Sequence, residues 1–234
     1  MGVVFDTLSY IAKLDRMNQW VYRKVSPYIG NRILEAGCGN GNITSLLLNK
    51  ELVVALDNDE AMIEETKRRY RGKSNIIVKK LDLSHVPLSE LKSFGFDTIL
   101  CINALEHILD DFRVLNNFNA VLRDDGYFVL IVPAFKELFC SLDRAAGHYR
   151  RYTKRELTAK ILASGFDDLT LCYANFFGIF GWIVNGIVFR KKRLSTRMLA
   201  LFDYFVPFFE WFEKKSGPPV GLSLIAVCRK HNKK

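Results

Sequence analysis

A chain of 234 residues, 49% hydrophobic and 25% charged, is folded rather than disordered. It is long enough for one well-buried α/β domain with an insertion and short for two domains. The formal net charge of +9 favours acidic partners: nucleic acid, an anionic membrane surface, or a substrate bearing phosphate or carboxylate. Cys38, Cys101, Cys140, Cys172 and Cys228 are odd in number and scattered, without a CxxC or Cys/His spacing. That pattern gives no metal-site signature and fits reduced, mostly buried thiols in a cytoplasmic protein. The opening "MGVVFDTLSY" lacks the basic-then-apolar pattern of a secretory signal, and Asp6 stands where myristoylation needs Ser or Thr.

Residues 5–28 read as helical, with Leu8, Ile11 and Leu14, then Trp20, Val21 and Val25, on apolar stripes. "RILEAG" and "LVVALD" read as buried strands with a helix "ITSLLLNK" between them. "AMIEETKRRYRG" reads as a helix, and "NIIVKKLD" and "FDTILCI" as strands. "DFRVLNNFNAVLRD" is predicted as a helix closed by the turn "DDG", before the strand "YFVLIVP". Thr153 followed by Glu156 is a capping box, so a helix starts there, and it ends at Gly165. "DDLTLCY" and "GLSLIAVCRK" supply the last two strands. This alternation predicts a Rossmann-like, seven-stranded, mostly parallel sheet with helices on both faces.

Between the last two strands lies an apolar insertion. Residues 169–189 carry no charge, "RKKR" follows at once, and a second aromatic-rich segment covers 198–212. Asp203, Glu210 and Glu213 fall on roughly one helical face there. The uncharged run is about long enough to cross a bilayer. Its first residues read as a strand, however, and "GLSLIAVCRK" must return to the same sheet, so a helical pair running out and back is expected. The organisation is then an N-terminal helical cap (1–30), a cofactor-binding core (31–173), a helical lid or insertion (174–217), and a last strand with a basic tail (218–234).

"LEAGCGNGN" places Glu35, Gly37, Gly39 and Gly41 at the end of the first strand, where an open parallel sheet binds ligands. A dinucleotide fingerprint needs a third glycine where Asn42 stands. Glu35 would also set a carboxylate near an incoming pyrophosphate, whereas it suits a cationic ligand. S-adenosylmethionine is cationic and has no phosphate. Asp57 ends the second strand, where a carboxylate accepts from ribose hydroxyls. Asp82 ends the third, placed either to meet an adenine amino group or to serve as a cap or turn residue.

With "ALDND", "LDLS", "FDTILCINALEHI" and "LRDDGYFVLIVP", residues 32–133 resemble the class I S-adenosylmethionine-dependent methyltransferases. The resemblance implies S-adenosylmethionine as cofactor. Glu35, Gly37, Gly39 and Gly41 would hold its methionine end, Asp57 with Asn58 its ribose, and Asp82 with Leu83 its adenine. Asn103, Ala104 and His107 would line the approach to the methyl. The stretch "LDRAAGHYRRYTKREL", after a "VPA" strand end and with "MNQW" near the N-terminus, is similar to a bacterial and archaeal subgroup often associated with lipid-phosphate sugar transferases.

Methyl transfer from a sulfonium is an in-line displacement that needs alignment, exclusion of water and, for a hydroxyl acceptor, a base. A carboxylate or phosphate-type oxygen needs only positioning. His148 and His107 are the candidate bases, each with an alternative structural use. Arg150 and Arg151, flanked by Tyr149 and Tyr152, form an anion clamp, a solvated basic loop, or an ion pair with Asp143 that holds the loop shut. Aromatics of the insertion, including Phe176, Phe177, Phe180, Trp182, Phe208 and Trp211, either line a pocket for a small-molecule or lipid-like acceptor, pack a homodimer, or dip into a membrane interface beside "RKKR". An RNA methyltransferase is disfavoured because the basic residues are dispersed. An NAD-dependent oxidoreductase lacks its third glycine and a Tyr-x-x-x-Lys pair, and a non-catalytic partner protein would not need these acids.

Overall fold

In the computed structural model of the chain, residues 15–84 and 88–231 are described. The strands are β1 (Arg32–Ala36), β2 (Leu52–Asp57), β3 (Ile76–Lys80), β4 (Phe96–Ile102), β5 (Leu122–Pro133), β6 (Asp167–Ala174) and β7 (Ser223–Arg229). They form one seven-stranded sheet in the order β3-β2-β1-β4-β5-β7-β6. All pairings are parallel except those of β7, which runs antiparallel to β5 and β6. The central strands are apolar throughout because both faces are covered. Leu34, Val54, Ile99 and Phe128 point into one core, and their neighbours Ile33, Val53, Leu100 and Val129 point into the other. Strand order reverses between β1 and β4, which opens a crevice at their C-terminal ends.

The helices are α1 (Asp15–Val25), α2 (Glu60–Arg69), α3 (Asp111–Val121), α4 (Ser141–Ala146), α5 (Lys154–Ala163), α6 (Gly178–Trp182) and α7 (Thr196–Ser216). The predicted cap of α5 is present: the Thr153 hydroxyl accepts from the Glu156 amide at 3.2 Å. Of the helix predicted over 5–28, Asp15–Val25 is helical and Ser26–Tyr28 is a 3₁₀ turn. Its earlier part, with Leu8, Ile11 and Leu14, lies outside the described residues, as does Asp6.

One predicted helix is corrected. "ITSLLLNK" forms only a 3₁₀ turn, Thr44–Leu46. The Ser45 hydroxyl donates to the Asn42 carbonyl at 2.6 Å, competing for a backbone acceptor, and Thr44 is tied to Glu35 of β1 at 2.6 Å.

The insertion is a short α6 continued by a π-turn (Ile183–Val188), then the 21-residue α7. The acid face of α7 packs against α1. Asp203 accepts from the Met17 amide, Glu210 pairs with Arg23 at 2.6 Å, and the buried Glu213 pairs with Lys24 at 2.9 Å. Among the described residues, no helix is long and apolar enough to cross a membrane.

Candidate active site

A cavity of about 710 Å³, of the size usual for small-molecule sites, occupies the crevice predicted by the strand reversal. Its wall takes Gly37, Cys38 and Gly39 after β1, Asp57, Asn58 and Asp59 after β2, and Asp82, Leu83 and Ser84 after β3. Asn103, Glu106 and His107 follow from the loop after β4, and His148, Tyr149 and Arg151 from the loop after α4. Met17, Asn18 and Val21 of α1 and Trp182 of α6 close the remaining sides. Ligand positions predicted on separate strand ends thus share one chamber.

The glycine-rich loop is shaped by its own hydrogen bonds. The Gly37 and Cys38 amides donate to the Leu56 carbonyl, the Gly41 amide donates to the Cys38 carbonyl, and the Gly39 amide donates to Asp57 Oδ2 at 2.8 Å. Those N–H groups are the ones a pyrophosphate would need. With them engaged and carboxylates on the wall, the loop fits a ligand that is cationic and phosphate-free. Asp57 Oδ1 further accepts from the Asp59 amide at 3.0 Å, so the carboxylate is fixed where a ribose diol can reach it. Asp82 accepts from the Ser84 amide at 2.8 Å, which makes it a turn residue that still lines the chamber.

Gly37 has φ +77°, and a Cβ there would lie 2.3 Å from the Ala104 Cβ. Gly37→Ala therefore meets both backbone strain and a clash, and must push the loops after β1 and β4 apart. The expected result is a stability loss of about 1–3 kcal/mol in thermal melts, with S-adenosylmethionine affinity lowered at least about tenfold by isothermal titration. Unchanged affinity would mean that this loop does not contact the cofactor.

Glu35 departs from its expected place. It is buried beneath the loop rather than on the chamber wall, and it accepts from the Thr44 hydroxyl at 2.6 Å. Burial pushes its pKa up to about 7 against the opposing hydrogen bond. Gly41 also stands off the wall: a Cβ there would meet the Tyr70 ring at 2.6 Å. Both shape the loop from below, because β1 turns Glu35 into the sheet's flank and the loop curls over α2.

The loops after β4 and α4 bring a polar cluster to the same chamber. Asp143, fully buried in α4, accepts from His148 Nδ1 at 2.9 Å, Arg151 Nε at 2.8 Å and the Cys140 amide at 2.9 Å. Burial alone would raise its pKa, but these donors outweigh it and hold the carboxyl below its ordinary range. The bond to Asp143 fixes the His148 ring and leaves Nε2 as its free nitrogen, 3.9 Å from Glu106 Oε1. The His107 ring meets the His148 ring edge-on at 4.6 Å. Burial drops the His107 pKa to about 4, so this imidazole is neutral at pH 7. Burial pushes Glu106 up to about 7, opposed by His148, and its Oε2 is buried without a hydrogen-bond partner among the described residues. Ligand atoms of Glu106, His107 and His148 lie within 4.8 Å of one another, a set with the composition of a metal site.

The arginine clamp is corrected, and the alternative expected for this loop, an ion pair with Asp143, is the one Arg151 makes. Arg151 is among the largest fully buried side chains; it binds Asp143 and the Ala134 carbonyl and lies 4.5 Å over the Trp182 ring. Arg150 is off the wall, with its guanidinium bonded to Asp111 at 2.9 Å and to the Leu109 carbonyl at 2.6 Å. Carboxylates of the chain itself neutralise both, so neither is left for a substrate anion. Tyr149 is exposed on the chamber wall.

The aromatic lining is corrected too. Of the insertion's aromatics only Trp182 reaches the chamber. Phe177 and Phe209 stack on each other at 4.4 Å, and Phe176 and Phe212 at 5.9 Å, because the acid face of α7 is turned to α1 and rolls the aromatics outward. Sequence reading missed Glu106, although "LEHI" placed it beside His107. A buried acid next to a candidate base was the available signal.

Residues 34–128 match the family described as "Methyltransferase domain". A probable S-adenosylmethionine-dependent methyltransferase of Mycobacterium tuberculosis is 28% identical over 161 residues, covering 67% of this chain and 57% of that protein. A ubiquinone biosynthesis O-methyltransferase of Hahella chejuensis is 24% identical over 61% of this chain and 64% of that protein. The chain thus spans less than two thirds of the length of these relatives. A crystal structure of an S-adenosylmethionine-dependent methyltransferase from Archaeoglobus fulgidus superposes with a TM-score of 0.59 at 18% identity, covering 92% of this chain and 94% of that one. The fold is that of these Rossmann-like methyltransferases. The relatives agree with the donor set of the glycine-rich loop in pointing to S-adenosylmethionine as the cofactor.

Proposed function

We propose that this chain is an S-adenosylmethionine-dependent methyltransferase whose acceptor is a small or lipid-like molecule methylated on a hydroxyl oxygen. The observation that carries the hydroxyl is the Asp143–His148 pair, which presents one imidazole nitrogen beside the chamber and holds the other. In the chamber, Asp57 and Asn58 hold the ribose, Asp82 and Leu83 the adenine, and the loop of Gly37 and Gly39 the methionine part. Bound there, S-adenosylmethionine supplies an electrophilic methyl whose transfer leaves the bonding pair on sulfur.

The chain's own work is positioning and proton transfer. His148 Nε2 accepts the hydroxyl proton as the oxygen becomes nucleophilic. Asp143 behind the ring and Glu106 beside it favour the imidazolium that results. Neutral His107 packs against the ring and limits its tilt. Met17, Val21 and Trp182 exclude water from the developing bond. An O-methylating relative is consistent with this acceptor chemistry. Localisation in the cytoplasm is proposed from the scattered, unpaired cysteines.

Isothermal titration tests the cofactor assignment: one equivalent of S-adenosylmethionine binds and NADH does not. Heat with NADH and none with S-adenosylmethionine would overturn it in favour of an oxidoreductase.

A further inference from the structure

Helix α7 is inside out for a helix in water. Its acidic face is turned to α1, where Asp203 accepts from the Met17 amide and Glu210 and Glu213 pair with Arg23 and Lys24. The opposite face, at the helical spacing of Leu201, Tyr204, Phe205, Phe208 and Trp211, stands exposed, with Tyr204 at 66%, Phe208 at 51% and Trp211 at 57%. The preceding segment repeats the arrangement: Phe180, Val184, Ile187 and Val188 share one exposed face that ends in Phe189 at 64%. Ten of the fifteen large apolar side chains that stand exposed among the described residues fall in this one insertion. Singly exposed apolar groups are ordinary, but a contiguous set marks a surface that something covers.

The charge around that surface identifies the occupant. Arg190, Lys191, Lys192 and Arg193 join the two apolar faces, Arg197 opens α7, and Lys214 and Lys215 close it; all seven are exposed. The acids of α7 are taken up by α1. What faces outward is therefore aromatic and apolar in the middle and cationic at the edges. A second copy of the chain would bring the same cations against these, whereas an anionic lipid surface matches both parts at once. No helix among the described residues is long and apolar enough to span, and what the insertion offers is contact of the in-plane kind.

We propose that the insertion, residues 176–215, is a monotopic docking surface for an anionic lipid bilayer. Phe189, Phe208 and Trp211 enter the interface, and the 190–193 link sits among the headgroups. Lys192, Arg193 and Leu194 of that link also line the chamber. Docking therefore brings the chamber mouth to headgroup depth, where an acceptor dissolved in the bilayer reaches His148 without crossing water. Docking itself does not depend on the methyl-transfer reading, and it can fail while cofactor binding stands.

Co-sedimentation of the full chain with phosphatidylcholine vesicles, with and without an equal part of phosphatidylglycerol, tests this. The wild type pellets with the anionic vesicles, releases as salt rises, and shows a blue shift of tryptophan emission. Phe208→Glu combined with Trp211→Glu weakens vesicle binding at least about tenfold while circular dichroism and S-adenosylmethionine titration stay as in the wild type. Arg190→Glu combined with Arg197→Glu, which leaves the apolar face intact, removes the preference for anionic vesicles. A wild type that stays in the supernatant with both vesicle types overturns the proposal. So does a concentration-dependent dimer that the Phe208/Trp211 variant dissolves while vesicles have no effect, since the face then belongs to a second copy.

Discussion

His148→Ala binds S-adenosylmethionine as the wild type does and turns over about a hundredfold to ten-thousandfold more slowly. Cofactor affinity is spared because the donors assigned to it, Asp57, Asn58, Asp82 and the glycine-rich loop, come from the ends of β1, β2 and β3, whereas His148 comes from the loop after α4. Turnover is lost because no other imidazole on the chamber wall is held by a carboxylate in the same way. His107 is neutral, but it lacks a carboxylate behind it, and burial holds its pKa near 4. Single-turnover rates with bound cofactor, measured beside titration calorimetry, separate the two effects. Unchanged turnover would remove His148 from the reaction. Treating the wild type with a chelator sharpens the result. Turnover that survives chelation leaves His148 as a base, whereas turnover that disappears assigns His148, with Glu106 and His107, to a metal ion.

Asp143→Asn lowers stability by about 3–5 kcal/mol, the cost of stranding a buried charge. For a chain of this size that is on the order of 10 °C in the melting midpoint. The carboxylate is fully buried and is the counter-charge of Arg151, whose side chain is 1% exposed. An amide keeps the shape and removes the charge. The guanidinium would then keep neutral acceptors, the Ala134 carbonyl and the Trp182 ring among them, and lose its paired charge, with only the more distant Glu106 carboxyl acting on it. The same substitution frees the His148 ring, so turnover falls even at temperatures where the variant is folded. Asp143→Leu combined with Arg151→Met tests the assignment of cause. It removes both charges and recovers part of the stability, while turnover stays low because His148 is still unheld. A melting midpoint for Asp143→Asn within a degree or two of wild type would show that the pair does not clamp the loop.

The cofactor half of the site was legible because it is local. Each donor sits at the end of a strand whose apolar run is readable, and a parallel sheet brings those ends together. Asp57, Asn58, Asp82, Leu83, Gly37 and Gly39 all reach the chamber wall from such positions. Glu35 and Gly41 share the motif and miss the wall, because which way a side chain leaves a curled loop is decided by what packs beneath it.

The loop of residues 141–152 shows the other limit. Its composition spoke of anions in general, and only the tertiary structure divided its cations among partners. Arg151 goes to Asp143 eight residues earlier, and Arg150 to Asp111, which lies on another helix. The sequence offered Asp143 as one partner among other uses; which arginine takes it, and that Asp111 takes the other, depends on which carboxylates burial has left without water. The insertion behaves likewise. Its aromatics and its acid face were readable by helical periodicity, but the direction in which α7 turns was settled by Arg23 and Lys24 of α1. By itself, then, the sequence determined the sheet, most of its helices, the ligand edge and a phosphate-free cofactor, since these follow from short-range pattern and strand order. Only the tertiary structure decided which histidine is held by a carboxylate, which arginines are already neutralised, and that the greasy face looks outward. Those outcomes depend on long-range pairing of buried charge.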